Sequence, residues 1–148
     1  MAAVDFTGLP EWVLPGQFVV IMRQGRSGNR VTVTTVERVT TRDIVLNGDN
    51  GRFRRAEITS DRTTVQRATG DMWSRVYEEL VARNDPRVTA LRATINRDNT
   101  RARARDAATL MNDSTVAAGA LDNLARVEAA ITALTAWADT LQTEAAGA

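Results

Sequence analysis

The chain has 148 residues, with 19 Arg and 18 Asp plus Glu for a net charge of +1, and no Lys, His or Cys. That length suits one ordinary domain or two small ones. The missing residue types exclude disulfide frameworks, zinc-finger and iron–sulfur sites, thiolate nucleophiles and Ser-His-Asp triads, so no metal or other cofactor is expected.

The elements follow in chain order. Phe18–Met22, the longest apolar run, is far shorter than the roughly 20 residues needed to cross a bilayer. Met1–Leu9 has neither a basic nor an apolar leader segment, so no membrane anchoring or secretion is expected. Trp12–Gly16 leads into a first strand over Gln17–Met22, in which Phe18, Val20 and Met22 share a face. A basic loop, Arg23 to Arg30, separates it from Val31–Val39. There Val alternates with Thr until the phase slips at Thr34-Thr35, the mark of a bulge or bend. Asp43–Leu46 is a third strand, and Asn47–Gly51 is a turn of residues that tolerate positive φ. Arg52–Ile58 returns as a fourth strand and Thr63–Arg67 makes a short fifth. Ten of the 15 Val lie at or before Val65, while 18 of the 23 Ala lie at or after Ala90. Composition therefore breaks near Gly70, from β-branched residues to helix formers.

Beyond the break, Trp73, Val76, Tyr77, Leu80 and Val81 fall at helical spacing behind a candidate N-cap, Asp71. Asp85-Pro86 is a second N-cap with Pro at the first helical position, followed by Val88, Leu91 and Ile95. A last helix begins after Asp113-Ser114. Its apolar residues repeat every seven positions in two rows: Ala117, Leu124, Ile131 and Ala138 in one, Ala120, Val127, Leu134 and Leu141 in the other. Trp137 lies off both. The expected architecture is thus α+β: a small SH3-like β-barrel over residues 1–69, then an α-helical hairpin or coiled-coil region over 70–148. The rows are expected to pack on the preceding helix, with homo-oligomerisation through the C-terminal helices as the alternative.

Charge is uneven along this frame. Arg23–Arg67 holds ten Arg against five acids, Arg87–Arg105 six Arg against one, and Asp106–Ala148 one Arg against six acids. Within the barrel, Arg52 and Arg54 should share the face opposite Phe53 and Arg55. Together with Arg23, Arg26 and Arg30 of the loop, Arg52, Arg54 and Arg55 form a candidate cationic patch for nucleic-acid phosphates or an acidic partner. Along the helices, Arg97, Arg101 and Arg105 form an i, i+4, i+8 stripe suited to acids of the last helix, such as Asp113, Asp122 or Glu128. Gly48–Gly51 lacks the alternating ligands and closing Glu of a calcium loop. The Gly25/Gly28 segment lacks the ending of a P-loop. Glu78-Glu79 is an adjacent acid pair rather than a convergent one, so no catalytic residue is assigned and a non-enzymatic binding role is expected.

The stretch Val31–Arg55, preceded by Trp-Val-Leu-Pro-Gly-Gln-Phe-Val-Val, resembles small β-barrel proteins encoded by actinobacterial phages and prophages. The resemblance spans about residues 12–55 and implies a phage accessory protein in the host cytoplasm or a virion component. Such a protein would engage nucleic acid or a host or virion protein. The Ala-rich helical part departs from that pattern.

Overall fold

A computed structural model describes residues 6–25, 28–70, 73, 75–113 and 123–148. Six strands form one antiparallel sheet that curls into a nearly closed barrel: β1 (Phe18–Arg23), β2 (Arg30–Val39), β3 (Asp43–Leu46), β4 (Arg52–Arg54), β5 (Thr64–Thr69) and β6 (Val76–Ala82). Among the described residues two helices follow, α1 (Pro86–Met111) and α2 (Leu124–Ala146). The chain divides into two compact units, Met1–Arg92 and Ala93–Ala148.

The strand order is β4-β3-β2-β1-β6-β5. Strand β2 pairs with β1 through its first half and with β3 through its second, and the register shifts between Val36 and Arg38, a little beyond the expected slip. That irregularity turns the sheet around the core. Strand β4 ends at Arg54 and gives way to a 3-10 turn over Arg55–Glu57, so the fourth strand is shorter than its β-rich sequence suggests.

The principal correction lies beyond Gly70. Val76–Ala82 is not a helix but a strand, paired with β1 on one side and β5 on the other, and the barrel runs past the expected boundary at residue 69. The apolar spacing of Val76, Tyr77, Leu80 and Val81 fits either period over so short a stretch, and two waiting strand edges decide it. The N-cap expected at Asp71 lies outside the described residues.

Val19, Ile21, Val36, Ile44, Phe53, Val65 and Leu80 fill the barrel, with Trp12 and Ile58 packed against them. Val20, Met22 and Val81 project from the other face and are buried as well, which is why β1 reads as a continuous apolar run. Phe18 is exposed on that outer side, with the Arg83 guanidinium 5.1 Å from its ring centroid.

Two Arg fasten this unit. Arg67 joins the barrel's edges: its Nη1 donates to the carbonyls of Asn50 (2.9 Å) and Arg52 (3.1 Å) at β4. It also pairs with Glu78 on β6 and covers the Phe53 ring at 4.2 Å. The backbone must come close here, and Gly51 permits it, at φ 72° with Arg67 Nη1 only 3.1 Å from where a Cβ would stand. Arg87 ties α1 to the strands, donating to Thr64 Oγ1 (2.8 Å) and pairing with Glu79 and Asp85. Asp85 caps α1 as expected, its Oδ1 accepting the Arg87 backbone N–H at 2.9 Å. The hydrogen bond from the Arg87 side chain holds the Asp85 carboxyl below the usual carboxylate range, against the opposing effect of partial burial.

In the second unit, α1 and α2 run antiparallel. Arg97 pairs with Glu144 and lies 5.6 Å from the Trp137 ring, and Ala104, Ala107 and Ala130 are buried. Trp137, off both expected rows, is therefore on the contact face. The expected rows are turned away from it: Leu124 (57 % exposed), Ile131 (55 %), Leu134 and Leu141 are exposed, while Val127 is half-buried. On α2 the buried position is Ala130, the residue before Ile131, so the contact face lies one residue away from the arrangement its larger side chains suggest. Ala117, Ala120 and the start of the last helix expected after Ser114 lie outside the described residues.

Candidate nucleic-acid interface

Strand β4 pairs with β3 so that Phe53 meets Ile44, with Arg54 opposite Asp43 and Arg52 opposite Val45. Phe53 is fully buried, and the alternation of a strand then forces Arg52 and Arg54 outward. Both are exposed, as expected, and Asp43 sits 3.7 Å from the Arg52 guanidinium, which remains 73 % exposed. An ion pair that open adds little and leaves the cation available to a ligand.

Arg52 and Arg54 stand on a ridge between two clefts. The cleft on one side, about 540 Å³, also takes in Arg42, Asp43 and Arg55. The other, about 420 Å³, is lined by Gln66, Ala68 and Tyr77 across from the ridge, with Arg67 and Glu57. Arg42, Arg52 and Arg54 thus outnumber the acids that share their clefts. Tyr77 brings an exposed aromatic ring to a cationic wall, the combination that nucleic-acid-binding surfaces use.

The remaining candidates are either engaged within the barrel or placed elsewhere. Arg55 is occupied structurally, its Nη1 donating to Thr40 O (3.2 Å) and its Nη2 to Thr7 O (3.0 Å), so it braces the N-terminal segment against the barrel. Arg23 and Arg30 are cross-strand neighbours that line a different cleft, with Asp49, Arg67 and Glu78. Arg26 lies outside the described residues. The five described Arg of the expected patch are therefore not brought together as one surface. Glu78 and Glu79 diverge, the first toward Arg67 and the second toward Arg87.

Arg42 and Tyr77 escaped the sequence reading. Arg42 sits in the short turn before β3 and becomes part of the ridge only through β3–β4 pairing. The spacing around Tyr77 also fits a helix, and nothing in its local sequence places it beside β4. On the helices, Arg97 pairs with Glu144, Asp122 lies outside the described residues, and Arg101 and Arg105 make no ion pair among the described residues.

Among the described residues no cluster of three or more Asp and Glu is placed to hold a metal ion, and no helix is long and apolar enough to cross a membrane. Comparison with protein-family models, curated proteins and solved structures finds no match.

Proposed function

We propose that the barrel is a non-enzymatic nucleic-acid-binding module whose β4 ridge grips phosphates through Arg52 and Arg54, with Arg42 alongside. One observation carries this reading: Phe53, locked in the core, holds two neighbouring Arg outward at the junction of two open clefts. An accessory role in a host cytoplasm, the setting implied by the phage resemblance, suits a protein that binds without catalysis. The test is fluorescence anisotropy with labelled DNA and RNA. Replacing Arg52 and Arg54 together by Gln should weaken binding at least about tenfold and flatten the dependence of log affinity on log salt by about 1.5–2. Wild-type protein that retains neither DNA nor RNA at about 50 mM salt would end the reading.

A second reading has its own support in the exposed Leu124, Ile131, Leu134 and Leu141 on α2, drawn from both rows. An apolar stripe of that length, repeating every seven residues, suits a structural or docking role in which α2 packs on a second copy or on a host or virion protein. Light scattering over a concentration series separates assembly from a monomer.

A further inference from the structure

We infer that the ligand of the β4 ridge is a single strand of nucleic acid, its backbone on Arg52 and Arg54 and one base stacked on Tyr77. The inference rests on the phosphate-binding reading above and adds the strandedness of the ligand. Tyr77 lies on the outer face of β6, 59 % exposed, whereas Phe53 on the facing strand β4 is fully buried. Its cross-strand neighbour on β5 is Ala68, too small to cover a ring. Gln66, two residues along β5 on the same face, adds an amide with both donor and acceptor. The cleft therefore has a cationic wall at β4, a small and polar floor at β5, and an aromatic wall at β6. A duplex keeps its bases stacked and paired and presents only phosphate and groove edges, so it can use the cationic wall but not the ring. A single strand presents backbone and unpaired base faces together, and can use both walls.

The test is anisotropy with a labelled thymidine strand of roughly 12 nucleotides and with a duplex of the same length, at about 50 mM salt. The wild-type protein should bind the single strand at least about tenfold more tightly than the duplex. Tyr77→Ala should weaken single-strand binding about 5- to 150-fold, the span of one lost stacking contact, and leave the salt slope unchanged. Tyr77→Phe, which keeps the ring, should bind like wild type. Tyr77→Thr keeps a residue suited to a strand and should show the same loss as Tyr77→Ala, which guards against a folding artefact. Duplex binding as tight as single-strand binding, or undiminished binding by both Tyr77→Ala and Tyr77→Thr, overturns the inference. If the Arg52/Arg54 variant still loses affinity in those cases, the phosphate-binding reading survives. Absence of any binding by the wild type removes both.

Discussion

Replacing Arg67 with Ala removes, in one step, the side chain that joins β4 to β5. The loss is composite. The carbonyls of Asn50 and Arg52 lose their donor, the Phe53 ring loses its cationic cover, and the Glu78 carboxylate is left unpaired with only 16 % of its side chain exposed. Breaking one side of a buried pair costs about 3–5 kcal/mol. Arg67 keeps 22 % exposure, so water relieves part of this, and about 3 kcal/mol is expected. Against a typical total stability of about 5–15 kcal/mol, that is a large fraction. Replacing Arg67 by Met and Glu78 by Leu together leaves no stranded charge and should cost less than Arg67→Ala alone. Urea titration followed by Trp12 fluorescence, with Trp73 and Trp137 changed to Phe, isolates the barrel. The reasoning is refuted if Arg67→Ala lies within about 0.5 kcal/mol of its parent, the range of ordinary surface changes. A double variant whose cost is the plain sum of the singles refutes it as well.

Asp85→Ala removes both the α1 cap and the partner of Arg87, and should cost about 1–2 kcal/mol by urea titration. Because Arg87 lowers the folded-state pKa of Asp85, the carboxylate's contribution is complete above its unfolded value near 4 and is lost as pH falls below it. Asp85→Asn, which keeps a capping oxygen, should therefore show a shallower decline in stability between about pH 4 and pH 2, and an unchanged slope would count against the Arg87 pairing. On α2, Ala130→Leu should overpack the helix contact and cost about 1–3 kcal/mol, whereas Ile131→Asp should cost less than about 1 kcal/mol. Thermal melts by circular dichroism check the order, and the reverse order would return the contact face to the row of Ile131.

What the sequence made legible was mostly local. Strand β3, the Asn47–Gly51 turn, the Asp85-Pro86 helix start and the outward aim of Arg52 and Arg54 each follow from a few adjacent residues. What it hid was set by distant partners. Val76–Ala82 is a strand because β1 and β5 offer it two edges, and its own apolar spacing carries no trace of them. The brace from Arg55 to Thr7 and Thr40, and the latch from Arg67 to β4, depend on residues far off in the chain. The contact face of α2 runs through Ala130 and Trp137 rather than through its large aliphatic side chains, so side-chain size does not point to it. Tyr77, the aromatic wall of the second cleft, is hidden by the same ambiguity of its strand.

The pairing of β1 with β6 also governs the order in which the barrel can be made. Strand β1 lies in the middle of the sheet, yet one of its two neighbours is the last strand to be synthesised, with Val19 waiting for Ala82. A nascent chain that has released everything up to Gly70 therefore holds an apolar strand, Val19–Met22, with an unpaired edge. Pairing of such long sequence separation is slow compared with local hairpins, so β1–β2 and β3–β4 are expected to form first and idle until β6 arrives. A fragment cut at the compositional break, where a domain end would naturally be drawn, would strip β6 from both β1 and β5 and tend to aggregate through the exposed edges. The shortest self-sufficient piece must reach past Ala82 to the Asp85 cap and the first turns of α1, where Val88 and Leu91 are buried.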